Sequence, residues 1–178
     1  MFCVKIRRMF RPGRRRAVIA AALLLTVGCA RSATVQEAIE IYDMKTGYDD
    51  GGHEGGQNRL LPAIEFRVRN KASRAINTVQ FNAVFRVIGD PEELGAQLVM
   101  GIDYHGLPAG ETSGPYTLRS TFGYSGEQAR VEMFQHESFN DVQVELFAKQ
   151  GGRQWVKLTE LVVERQLLAI ARAPAATP

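Results

Sequence analysis

Few residues in this chain have the types and spacing that chemistry needs, and they fall in three places. The first is Tyr48-Asp-Asp-Gly-Gly-His-Glu-Gly-Gly-Gln-Asn58. Asp49, Asp50, His53 and Glu54 place three carboxylates and an imidazole on a glycine-rich stretch, a donor set suited to a divalent cation. The register is not that of a calcium loop, because no D-x-[DN]-x-[DN]-G run leads to a distant Glu. The glycines predict a solvated, mobile loop. The second place holds His105 and His136. Neither has a neighbouring arrangement that suggests a Ser-His-Asp triad, and Ser138 and Asp141 read as turn and cap residues. The third is Cys29. Residues 1–28 contain Cys3 but no Asp or Glu, and Lys5, Arg7, Arg8, Arg11, Arg14, Arg15 and Arg16 precede the apolar run Ala17 to Val27.

That run is too short to span a bilayer, which takes about 20 apolar residues. It has the length of a signal h-region. Leu25-Thr26-Val27-Gly28-Cys29 resembles the lipobox of bacterial lipoproteins, although Thr26 stands where Leu is usual. The resemblance implies cleavage after Gly28, acylation of Cys29 on its thiol and its new amine, and anchoring by more than one chain. The competing reading is an ordinary secretory signal with a chance cysteine. Arg7-Arg8-Met9-Phe10 also echoes a twin-arginine export motif, and Met9 is a second candidate start. Ala30 follows the cysteine where an Asp would retain enterobacterial lipoproteins at the inner membrane. The periplasmic face of the outer membrane is therefore expected, with the inner membrane as the other location.

Cleavage would reverse the charge. Seven of the 22 Lys and Arg precede Cys29 and none of the 19 Asp and Glu do, leaving 15 basic against 19 acidic residues, a formal −4. The basic character belongs to the leader, so composition gives no support to nucleic-acid binding. Both cysteines, Cys3 and Cys29, lie in or at the end of the leader. An exported domain without other thiols forms no internal disulfide and has no Cys for metal or nucleophilic chemistry. No cofactor is implied.

The elements that would position these residues read mostly as strands. Ile64, Phe66 and Val68 alternate with Glu65, Arg67 and Arg69. Val79, Phe81, Ala83, Phe85 and Val87 alternate with polar neighbours. So do Leu98 to Ile102, Tyr116 to Phe122 and Val142 to Ala148. A weaker alternation around Val35 to Tyr42 predicts a first strand. Gly151-Gly152 predicts a tight hairpin to a return strand, Trp155 to Val163. A helical turn or two fits residues 126–139, and residues 161–170 are helix-compatible. Gaps between strands lack the helices a parallel sheet requires. The prediction is all-β: an antiparallel immunoglobulin-like β-sandwich of about seven strands. The expected organisation is a signal over 1–28, a tether over 29–33, the sandwich over 34–170 and a disordered tail over 171–178. Phe66, Phe81, Phe85 and Leu146 should face inward. Phe147 lies off that face and is a candidate partner contact.

Glu65-Phe-Arg-Val-Arg-Asn70, Val79-Gln-Phe-Asn-Ala-Val-Phe85 and Gly106-Leu-Pro-Ala-Gly110 give this scheme a family likeness. Over about residues 60–150 it resembles small immunoglobulin-like sandwiches of exported bacterial proteins, of the FxLYD and YcfL types and the late-embryogenesis-abundant type 2 fold. The FxLYD signature itself is absent. The resemblance implies a binding or envelope-assembly module rather than an enzyme, with another envelope protein as partner. The alternative is a ligand- or ion-binding lipoprotein that uses residues 48–58.

Overall fold

The computed structural model describes residues 34–169. The signal over 1–28, the tether with Cys29 and the tail over 171–178 lie outside them. Eight strands form two antiparallel sheets. They are β1 (Ile39–Glu54), β2 (Gln57–Asn70), β3 (Val79–Val87), β4 (Gly95–Ile102), β5 (Thr112–Arg119), β6 (Tyr124–Gly126), β7 (Val142–Gln150) and β8 (Val156–Val162). Two single-turn helices, α1 (Val35–Ala38) and α2 (Arg130–Met133), complete the elements. One sheet runs β1-β2-β5, with β6 extending the β5 side of β2. The other runs β4-β3-β7-β8. In immunoglobulin lettering these are A-B-E and C′-C-F-G, so the predicted sandwich is present. Among the described residues no helix is long and apolar enough to cross a membrane.

In β2, β3 and β7 alternation builds the core as expected; in β4 Leu98 and Met100 are exposed and Val99 packs inward instead. Phe66, Phe81, Phe85 and Leu146 are all fully buried. Phe66 and Phe81 meet edge to face across the two sheets, with centroids 5.2 Å apart, and Tyr116 packs on both. Such pairs add about 0.5–1.5 kcal/mol beyond their burial.

Four local expectations are corrected. Residues 35–38 are a helical turn rather than strand, because Thr34 and Glu37 close a capping box in which each receives the other's backbone N–H. The β7–β8 connection spans five residues, 151–155, and only Gly151 takes a positive φ. The two-residue turn falls instead at Gly55-Gly56, where both φ values are positive and Glu54 pairs with Gln57. Residues 163–168 are irregular, with a bend at 165–166, and not helical. They form a strap whose backbone bonds β1: Tyr48 N donates to Gln166 O and Leu168 N to Tyr48 O. The strap blunts the edge of β1. Finally, the strand expected to reach Phe122 stops at Arg119 and resumes as β6. In this bulge a Cβ on Gly123 would meet Leu60 O at 2.0 Å, so only glycine allows the approach.

The topology gives the sandwich two ends. At the Thr34 end lie α1, the 71–78 connection, the 103–111 connection and the 151–155 loop. Asn70, 1% exposed, stitches this end together. Its Nδ2 lies within hydrogen-bond reach of Arg74 O and Leu107 O, and its Oδ1 accepts from Ala72 N. At the hairpin end lie Gly55-Gly56, the 88–94 connection and residues 120–141.

Candidate functional site

Residues 48–58 are not a loop. They are the end of β1, the Gly55-Gly56 turn and the start of β2, with a register shift between Asp50 and His53. Gly52 takes φ +91 in that bulge, and its N–H donates to Asp50 Oδ1 at 2.8 Å. Consecutive strand residues point to opposite faces, so Asp49 and Asp50 diverge. Asp49 is 4% exposed and accepts from Arg119 Nη1 at 2.5 Å. Asp50 pairs with Arg130 Nε at 2.7 Å. His53 Nδ1 lies 3.2 Å from Asn58 Oδ1, and Glu54 pairs with Arg59 Nη1 at 3.1 Å. The four candidate ligands thus go to four separate partners. Among the described residues no three His, Cys, Asp or Glu group to hold a metal.

No local pattern in the sequence marks the arginines, yet they shape a broad cleft at this end. A cleft of about 610 Å³ opens between the hairpin and the facing edges of β4 and β5. Arg59, Arg119, Gln97 and Ser120 line it, with Gly51-Gly52 on the hairpin side and Leu61 and Ala96 as apolar contributions. Arg119 is positioned twice. Its side chain bonds buried Asp49, and its backbone N–H donates to Gln97 Oε1 at 2.7 Å. A Cβ on Gly95 would meet Ser120 Oγ at 2.4 Å, so glycine there lets the two edges close on each other. Phe122, next in sequence to the lining residue Thr121, is 63% exposed.

Behind the hairpin, Tyr48, Tyr124, Phe134 and Phe139 form one aromatic cluster. Tyr48 lies 5.3 Å from Phe134 and 5.2 Å from Phe139, centroid to centroid, and Tyr124 lies 4.3 Å from Phe139. Arg165 of the strap closes it. Its guanidinium sits 5.2 Å from the Phe139 centroid, bonds Asp141 Oδ1 at 2.8 Å and donates to Phe134 O at 2.9 Å. Tyr48 is fully buried, and its hydroxyl finds no hydrogen-bond partner among the described residues. Burial pushes its ionisation well above the usual tyrosine range, with Tyr124 adding to the effect. Burial raises the ionisation of Tyr124 as well, and its hydroxyl donates to Asn140 O at 2.7 Å.

Histidine chemistry is not assembled. His136 Nδ1 lies 2.7 Å from Ser138 Oγ on the surface, while Asp141 is taken by Arg165. No carboxylate among these residues orients the imidazole, so the nucleophile–base–acid relay is missing. His105 stacks on exposed Tyr104 at the Thr34 end. Phe147 is half-buried on the outer face of β7, between Asn82 of β3 and Lys157 of β8. Beside it Lys157 and Arg86 hold the Glu145 carboxyl below its usual range, the Lys157 hydrogen bond contributing most.

No family model matches the chain, and no curated protein does. Among solved structures it is similar to a Bordetella pertussis protein solved under the name ApaA, with 14% identity and a TM-score of 0.38 over 71% of this chain and 93% of that one. It is also similar to the structural-genomics target SoR45, with 11% identity and a TM-score of 0.38 over 81% and 100%. Likeness at this level fixes neither fold nor activity.

Proposed function

We propose that the chain is an envelope lipoprotein, anchored through acylated Cys29, whose sandwich is a docking module for another envelope protein. The leader and the lipobox-like Leu25 to Cys29 support the anchor. The resemblance to exported immunoglobulin-like modules supports a binding role. The observation that carries the docking role is the cleft at the hairpin end. Six of its ten lining residues carry polar side chains, two of them arginines. Arg59 and Arg119 line it, and exposed Phe122 follows the lining residue Thr121 in sequence. Arginine and aromatic residues are the types that dominate protein–protein hot spots.

A photo-crosslinking residue tests this reading. Placed at Phe122 in cells, it should give a discrete protein adduct, while the same residue at Arg67, on the outer face of β2 away from the cleft, should give none. Equal labelling at both positions, or none at Phe122, would remove the cleft as the docking surface.

One observation favours a second reading. The cleft volume lies within the range of about 300–1,000 Å³ that ligand pockets occupy. Asp50, Gly51 and Gly52 of the predicted segment line it, so a polar ligand held by Arg59 and Arg119 is the alternative. An ion held by Asp49, Asp50, His53 and Glu54 together would require four existing contacts to break.

A further inference from the structure

The hairpin end holds the cleft; the opposite end has its own chemistry. Lys71, Arg74, Lys149 and Arg153 gather there, against Glu37, Asp103 and Glu111. Two of these acids are engaged locally: Glu37 accepts from Thr34 N, and Asp103 accepts from His105 N. Tyr104 is 76% exposed at this end. Trp155 is 38% exposed with Lys149 Nζ 4.8 Å from its ring centroid. The hairpin end is richer in acid, with Asp90, Glu92, Glu93, Glu127, Glu132 and Glu137 all exposed.

We propose that the Thr34 end is a membrane-facing surface that seats on anionic lipid headgroups, with Trp155 in the interfacial layer. This rests on the acylation of Cys29 proposed above. The chain's own geometry selects the occupant. Thr34 and Val35 lie in a groove with Gln150, Arg153, Gln154 and Val156, beside Trp155. Four residues separate Cys29 from Thr34, and the five extended steps between them reach about 17 Å. An acyl anchor at Cys29 therefore holds this end, and no other, close to the bilayer at high effective concentration. Tryptophan and tyrosine favour the membrane interface, where the ring is apolar on one side and wet on the other. Lysine and arginine are drawn to anionic headgroups. The acidic end is not repelled. Nine-residue β3 spans about 30 Å, several Debye lengths at the roughly 8 Å of physiological salt.

Trp155 is the single tryptophan of the chain, so its fluorescence reports on this surface alone. The full, membrane-extracted protein is reconstituted into vesicles of phosphatidylethanolamine with phosphatidylglycerol, and acylation is verified by intact mass on the same sample. The expected result is emission at shorter wavelength, quenching by shallow lipid-borne quenchers, and a several-fold loss of quenching by aqueous iodide. The change should be weaker in phosphatidylcholine vesicles. Phe122→Trp in a Trp155→Phe background should stay open to iodide. An acylated chain that floats with vesicles while Trp155 keeps its aqueous quenching overturns this proposal alone. Shielding in native membranes but not in vesicles makes the surface a protein contact and overturns it too. Equal shielding on both lipids, or equal shielding at position 122, overturns anionic recognition by this end. A chain without acyl groups that fails to float removes the anchor and this proposal together.

Discussion

Tyr48 and Tyr124 share one aromatic cluster and differ in one hydrogen bond. The Tyr48 hydroxyl is buried and unpaired, while the Tyr124 hydroxyl donates to Asn140 O at 2.7 Å. A buried polar group without a partner costs about 1–3 kcal/mol, and a satisfied one contributes about 1 kcal/mol. Tyr48→Phe should therefore stabilise the domain by about 1 kcal/mol, and Tyr124→Phe should destabilise it by a similar amount. The ionisation of Tyr48 is raised from 10.0 by burial. Its contribution is thus fully present below pH 10, and stability falls as pH rises above that value, because only the unfolded chain ionises there. Denaturant titrations at neutral pH and above pH 10 should show a shallower alkaline loss in Tyr48→Phe. Equal destabilisation by both variants would mean that the Tyr48 hydroxyl is satisfied. At this scale the sequence exposes some residues and hides others. Phe66, Phe81, Phe85 and Leu146 are legible because alternation places them on one face. Arg119 and Asp49 are 70 positions apart, and no local pattern links them. Arg165 is equally silent until the strap brings it over Phe139.

The β1–β2 hairpin is the element on which the composition misleads. Four glycines among residues 51–56 suggest a loop that can be shortened at a cost of about 1 kcal/mol or less. In the fold only Gly55 and Gly56 turn; Gly51 and Gly52 sit in the bulge, and Tyr48 to Asp50, His53 and Glu54 pair with β2. Deleting Asp49 to Gln57 would remove the buried carboxylate that holds Arg119, along with the last pairs of both strands. The expected loss is about 2 kcal/mol or more. Gly55→Asn keeps a residue type that accepts the left-handed conformation of this turn, and it should change stability by no more than about 0.5 kcal/mol. Thermal unfolding of the two variants gives the comparison, and a deletion as mild as Gly55→Asn would return the segment to the status of a loop. The long strands β2, β3 and β7 were readable because each has one face in the core. The strap and α1 were not. Their backbone groups are satisfied by β1 and by a capping box, choices that apolar periodicity does not encode.

At the scale of the whole molecule the chain is polarised. Lys71, Arg74, Lys149 and Arg153 lie at the Thr34 end with exposed Tyr104 and Trp155, and the hairpin end holds more of the exposed acids together with the arginine-lined cleft. This arrangement suits a module held at a membrane by one end and presented to a partner by the other. The positions of most strands could be anticipated from the alternating runs. The polarity could not, because it emerges only when connections distant in sequence are brought to one end. All of it depends on the chain being tethered where Leu25 to Cys29 suggest. The most direct measurement is the intact mass of the protein extracted from the membrane fraction, alongside Cys29→Ser. The account predicts a chain that begins at Cys29 and carries a diacylglyceryl group with a further acyl chain, and a Cys29→Ser variant that is released or stalls as precursor. A mature chain beginning elsewhere, an unmodified Cys29, or normal processing and membrane retention of Cys29→Ser would contradict it.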